Sequence, residues 1–442
     1  MIVRNNFVKS ASTNFFDGVS KKTQDSNNLE NSLHTGSTKY KAGLFPRLTF
    51  EDRPLMNTGQ LIAAHGYLSE SHTVLTEDGY MLTMHRVVKE FNRINCRVAL
   101  LHHGLLGSSD DWLLLGRNGA LPYKLVEYGF DVWLLNARGN RYSRIHTTMS
   151  TDRSDFWDFS WHEIGVYDLP AEIKYISEIT NSSDLNFIGH SMGGTALLVL
   201  LSTMPQYNTI LSSAILLAPL VFMYHVKGPL TMLANFYREN GEQSLNFLGQ
   251  TEFLRNEVFP AQIIQKYCKG LNSSCYNTLL LLGNGGAGFM WDEKVTADVL
   301  AHVPAGGSTK TVMHYVQLVK SGYFQMFDYG VTNNVIKYMA GVPPLYNLID
   351  ITLPIAIFSS PSDWLATKSD IKTLASLLKN VKLHHIIKSE NFGHFEFLWS
   401  SYAPKLVHIS VERVSDGATI VGPNPISFCK NIQNKVDVSK LY

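Results

Sequence analysis

The chain has 442 residues, 45% of them hydrophobic and 11% aromatic, enough apolar material for a large buried core and room for two domains. With 38 Lys and Arg against 37 Asp and Glu and no long basic block, the charge pattern argues against binding of nucleic acid, and no apolar run approaches the roughly 20 residues that span a bilayer. The four cysteines, Cys96, Cys268, Cys275 and Cys429, are too few and too scattered for a disulfide scaffold or a zinc knuckle.

Taken in chain order, residues 1–42 are rich in Asn, Ser, Lys and Thr without periodicity and read as an unordered tail. The opening "MIVRNNFVKSASTNFF" lacks the apolar stretch of about 7–15 residues that a secretory signal requires, which points away from export. "HTVLTEDGYMLTMHRVV" alternates around Glu77-Asp78-Gly79 and predicts a hairpin. Near-continuous apolar runs follow at 97–104, 129–139, 185–191, 213–219 and 353–360, each ending in Gly, Ser or Pro, as strands covered on both faces do. "WHEIGVYDLPAEIKYISEIT" and "GGTALLVLLSTM" lie between them as helices, so the class is α/β, a mostly parallel central sheet flanked by helices. This rhythm holds over 43–220 and 346–412, is interrupted by an insertion at 221–345 that predicts a helical cap, and gives way to an irregular tail at 413–442. Within the cap, Val312, Tyr315, Val316, Val319 and Tyr323 predict one apolar face of a helix.

Gly189-His190-Ser191-Met192-Gly193 fits G-x-S-x-G, with a predicted strand before it and a predicted helix after it. That context puts Ser191 on a sharp turn at the carboxyl end of a strand, where side chains at 189 or 193 would collide with their neighbours and where the helix N-terminus faces developing negative charge. The arrangement suits acyl transfer better than the plain alternative, a serine capping a helix. A hydroxyl nucleophile needs a base and an orienting acid, and on this scaffold they follow later in the chain, acid first. Asp363, just past the strand "LPIAIFSS", is the expected acid, with Asp370 second; its competing role is an N-cap for the next helix. His394, in a Gly-containing loop after the strand at about 381–388, is the expected base. His384 and His385 lie within that strand and point to opposite faces, which suits packing or surface. The expected oxyanion donors are the amides of Met192 and of Leu105 in "LHHGLLGSSDDW".

Other patterns carry less. Gly283 to Gly288 formally fits G-x-G-x-x-G, yet it lies in the irregular insertion with no acidic residue about 20 positions on, so no cofactor is expected; nor is there metal-ligand spacing. Two readings stand for Cys268 and Cys275, a bridge in an oxidising compartment or two buried thiols. Asn181 and Asn272 begin glycosylation sequons, which matter only on the secretory path.

"TEDGYMLTMHR", "HHGLLGSSDDW", "LLNARGNRYSR", "FWDFSWHEIGVYDLPAEI", "GHSMGG", "LLAPLVFMYH", "PAGGSTKTVMHYVQLVKSGYFQMFDYG" and "SSPSDWLA" together resemble, in order, the motifs of the acid lipases, the gastric and lysosomal lipases and their insect relatives, over about residues 60–410. The resemblance implies an α/β-hydrolase fold with a cap and lid, and a serine lipase acting on triacylglycerols or cholesteryl esters at a lipid–water interface. It implies Ser191 as nucleophile, Asp363 as acid, His394 as base, Leu105 and Met192 as oxyanion donors, and a cap disulfide between Cys268 and Cys275. It also implies a secreted or lysosomal location. The sequence departs from the family's usual text at "GHSMGG" and at "FGHFEF", where Gly393 precedes the histidine and Phe395-Glu396 follow it. The rival readings are a lipid-binding homologue without turnover and a short-chain carboxylesterase.

Overall fold

A computed structural model of the chain describes residues 38–40, 56–89, 97–240, 251–254, 291 and 293–411. Cys268, Cys275, Asn272 and the Gly283–Gly288 pattern lie outside these described residues.

Among the described residues ten strands form one sheet: β1 (Thr38–Tyr40), β2 (Leu68–Leu75), β3 (Tyr80–Val88), β4 (Arg97–His102), β5 (Asp131–Leu134), β6 (Ile145–His146), β7 (Asp184–His190), β8 (Ser213–Leu217), β9 (Ile355–Ser359) and β10 (Val381–Ile386). The order is β1-β2-β3-β5-β4-β7-β8-β9-β10, with β6 paired to β3. The pairings from β5 through β10 are parallel and those among β1, β2, β3 and β5 antiparallel. The central strands β5, β8 and β9 are buried along their whole length, which is why they read as unbroken apolar runs. The expected hairpin is β2–β3, closed by Thr76 and Tyr80 around Gly79, whose φ of 99° is open to glycine at little cost.

Three details differ from the sequence expectation. Thr38–Tyr40, within the segment read as an unordered tail, pairs antiparallel with Ser69–Ser71: the free edge of β2 satisfies backbone groups that composition alone cannot show. The helix predicted at 161–180 opens into a π-helical turn at Ile164–Asp168 before α1 (Leu169–Thr180). Pro170 supplies the reason, since it has no N–H to give and its ring crowds the preceding turn. Helix α2 (Met192–Thr203) follows β7, and α3 (Pro229–Asn240) and α4 (Thr309–Ser321) lie between β8 and β9; α4 buries Val312, Tyr315, Val316 and Val319 as expected. It stops at Gly322 with φ 72°, whose N–H bonds the Leu318 carbonyl, so Tyr323 falls outside the helix and is exposed.

The π-helical turn has a structural use. It carries Asp168 to Arg138, a fully buried residue past β5, whose Nε lies 2.7 Å from Asp168 Oδ1 and whose Nη2 lies 2.9 Å from Asp78 Oδ1 in the hairpin turn. One guanidinium thus ties helix and hairpin to the carboxyl end of β5. Removing it leaves Asp168 buried with only the residue-138 amide and no counter-charge, so Arg138→Met is expected to cost about 3–5 kcal/mol of stability. Denaturant unfolding checks this, and a midpoint equal to the wild type would contradict it.

Candidate active site

Ser191 stands between the last residue of β7 and the first of α2, with φ 53° and ψ −114°, a region that non-glycine residues rarely occupy. Its neighbours enforce that geometry. A Cβ on Gly189 would meet the Gly193 carbonyl carbon at 2.7 Å, and one on Gly193 would meet the His102 carbonyl oxygen of β4 at 2.5 Å. The Ser191 amide donates to Leu217 O on β8 at 2.9 Å, while its carbonyl accepts from Gly194 at 3.0 Å. The side chain makes no capping bond to α2, which removes the helix-cap alternative.

Ser191 Oγ instead lies 2.8 Å from His394 Nε2, and His394 Nδ1 lies 2.8 Å from Asp363 Oδ2. All three side chains are almost fully buried, at 1–3% exposure. Asp363 stands in the loop after β9; its Oδ1 accepts the amides of Leu365 and Ala366, both at 2.8 Å, so the carboxylate is aimed before it meets the imidazole. The N-cap of the following helix, Lys368–Leu377, is Thr367 rather than Asp363. Asp370, the second candidate acid, is engaged elsewhere: it accepts from the His225 amide at 3.1 Å and lies 2.8 Å from His225 Nδ1. His384 and His385 also stay apart from this cluster, the first 2.9 Å from Ser359 Oγ and the second with its ring against Phe358.

On the other side of Ser191 runs the turn after β4, where Gly107 N donates to Gly104 O at 3.1 Å. A Cβ on Gly104 would come within 3.1 Å of Ser191 Cβ, a tight contact that would press the loop away from the serine by a few tenths of an ångström. Neither the Leu105 nor the Met192 amide has an acceptor among the described residues. Both are therefore free to receive a hydrogen-bond acceptor formed above the serine.

Sequence reasoning passed over several supports. His190 Nε2 donates to the His394 carbonyl at 3.0 Å, and burial, followed by the nearby His394, pushes the His190 imidazole down to about 3, so it stays neutral. His103 lies 2.8 Å from the Gly104 carbonyl through Nδ1, while its Nε2 accepts the Ala137 amide at 3.1 Å. Burial pushes this imidazole well below its ordinary range, which keeps one nitrogen a donor and the other an acceptor. Glu396 Oε2 accepts the Gly393 amide at 2.9 Å and ties down the loop that carries His394. Only the adjacency of these residues to the motifs hinted at such roles.

A cavity of about 320 Å³ opens over Ser191 and His394, walled mainly by apolar side chains that include Leu105, Leu230, Leu233, Phe253, Tyr315 and Trp399. Leu230 and Leu233 come from α3 and Tyr315 from α4, so residues that lie between β8 and β9 in the chain form part of the wall. Asn181, the described member of the two sequons, is exposed at the left-handed end of α1.

Residues 98–398 match the family described as alpha/beta hydrolase fold, and residues 58–116 match the partial alpha/beta-hydrolase lipase region. "Lipase 1" of Drosophila melanogaster is 36% identical over 358 residues, covering 80% of this chain and 78% of the relative. "Gastric triacylglycerol lipase" of Bos taurus is 34% identical over 367 residues, 80% of this chain and 89% of the relative. "Lysosomal acid lipase/cholesteryl ester hydrolase" of Macaca fascicularis is 33% identical over 356 residues, 79% of this chain and 88% of the relative.

The packing around the turn carries its own test. Gly193→Ala places a methyl against the backbone of β4, and the expected loss is about 1–3 kcal/mol, read from thermal or denaturant unfolding. Full retention of stability would mean that the turn has room for a methyl beside the His102 carbonyl.

Proposed function

The chain belongs to the acid lipase family of α/β hydrolases, and from that premise we propose that it is a serine lipase that cleaves carboxylic esters of neutral lipids through an acyl-enzyme. The observation that carries the reading is the Ser191–His394–Asp363 relay, two contacts of 2.8 Å, opening into an apolar cavity. In this reading Ser191 Oγ attacks the ester carbonyl carbon and its proton passes to His394 Nε2. Asp363 holds the Nδ1 proton of the imidazolium and keeps the ring oriented. The carbonyl electrons go to the oxygen, which the Leu105 and Met192 amides receive. Collapse of the tetrahedral intermediate expels the alcohol, which takes the proton from Nε2. Water then repeats the sequence and releases the fatty acid.

An apolar cavity suits an acyl chain, because burying each methylene contributes about 0.8 kcal/mol. Likeness to relatives named for triacylglycerol and cholesteryl ester supports a neutral lipid as substrate and a lysosomal or extracellular site of action. Among the described residues no helix is long and apolar enough to cross a membrane. In this reading the water-insoluble substrate is met at a lipid–water interface.

Ser191→Ala is expected to lower hydrolysis of emulsified long-chain triacylglycerol by roughly 10⁴-fold or more and to abolish labelling by a fluorophosphonate probe. Asp363→Asn should cost about 10⁴-fold in kcat, as in other serine hydrolases whose orienting acid is neutralised. Near-wild-type turnover by either variant would sink the assignment. Lipid binding without labelling of the wild type would favour a carrier, and hydrolysis confined to dissolved short-chain esters an esterase.

A further inference from the structure

Part of the cavity wall comes from a short strap of the chain, residues 251–254, whose Phe253 and Leu254 line the cavity together with Ser191 and His394. The strap runs along residues 307–309. Glu252 forms an antiparallel bridge with Ser308, the Phe253 amide donates to the Gly307 carbonyl at 2.7 Å, and the Thr309 amide donates to the Thr251 carbonyl at 3.0 Å. Adjacent residues of an extended segment face opposite ways. Phe253 thus turns to the cavity, and Glu252 turns to Arg144, the residue just before β6. At Leu254 the backbone takes φ 50°, a left-handed conformation that leucine keeps only where its surroundings hold it.

Arg144 grips Glu252 at two points. Its Nη1 bonds Oε1 and its Nη2 lies 3.0 Å from Oε2, while the Glu252 side chain is only 9% exposed. The same guanidinium lies over the Trp157 ring, 5.2 Å from its centroid. Gly306 makes room for the pair: its φ is 91°, and a Cβ there would come within 2.8 Å of Glu252 Oε1. The loop that bears Gly306 is itself fastened. The Ala305 amide donates to the Leu106 carbonyl at 2.6 Å, the Arg141 amide donates to the Ala305 carbonyl at 2.8 Å, and Ser308 Oγ donates to the Trp157 carbonyl. A planar guanidinium that meets a carboxylate at two points fixes its orientation as well as its distance.

We propose that the Arg144–Glu252 pair, neither member of which lines the cavity, sets the site's preference for acyl chain length by holding Phe253 and Leu254 in the wall. This rests on the hydrolase reading above. Both are positioning residues, since they act on the substrate only through the two side chains that flank or follow Glu252 in the strap. An added methylene gains by burial only against a wall that stays in place, so a long acyl chain depends on the clamp and a short one does not.

The ratio of kcat/KM for dissolved p-nitrophenyl octanoate to that for p-nitrophenyl butyrate tests this. Both rates are read on one preparation, so a loss of folded protein lowers them together and leaves the ratio unchanged. Arg144→Met and Glu252→Gln are each expected to lower the ratio by about fourfold or more, the factor that corresponds to one methylene left unburied. Phe253→Ala should lower it likewise. The double variant Arg144→Met/Glu252→Gln should lower it no further than the single changes, because the two side chains act as one clamp. A smaller change in either single variant overturns the proposal, as does an unchanged ratio in Phe253→Ala or a double variant in which the two losses multiply. Each of these leaves the lipase reading standing while hydrolysis still depends on Ser191, whereas octanoate hydrolysis that survives Ser191→Ala removes that reading first.

Discussion

The backbone of Ser191 is held at φ 53° because β7 and α2 meet where β4 and β8 leave no other path: Gly189 lies against Gly193, Gly193 against the His102 carbonyl, and the Ser191 amide on Leu217. A residue in that conformation costs of order 1–3 kcal/mol, which the packing around it must offset. In return the hydroxyl projects from the end of the sheet and cannot cap its own helix. Everything else at the site is arranged around that fixed oxygen.

Parallel strands make the arrangement possible. Because β4, β7 and β9 run the same way, the loops that follow them all emerge at one edge of the sheet. Gly104–Gly107, Ser191 and Asp363 therefore converge although they lie far apart in the chain, and the loop after β10 brings His394 to the same edge. The buried histidines beside them, His103 and His190, are held neutral by burial. They act as fixed donors and acceptors for the backbone of the Gly104–Gly107 turn and of the His394 loop, without adding positive charge near the His394 imidazole. Apolar side chains from α3 and α4 wall this edge, and Ser191, His394 and Asp363 are buried there, where electrostatic contacts are stronger than in water.

Much of this was legible in the residues. Strands buried on both faces must be apolar throughout, so β5, β7, β8 and β9 could be read as runs, and a glycine-flanked serine between a strand and a helix has few structural explanations. Less legible was anything that depends on a partner distant in sequence. The pairing of Thr38–Tyr40 with the edge of β2 left no mark in local composition. Gly322 was visible, but its left-handed conformation, which turns Tyr323 out of the helix, was not.

The sequence alone determined the order of strands and helices and the short set of side chains able to attack, relay and orient, because periodicity, glycine placement and residue chemistry are local properties. Tertiary structure alone decided which acid faces His394, sending Asp363 to it and Asp370 to His225. It alone drew Asp110 into its bonds with Tyr142 and Arg141. The physical reason is that a hydrogen bond forms between groups a few ångströms apart in space, and for groups separated by tens or hundreds of residues that distance is set by how the sheet and its loops pack.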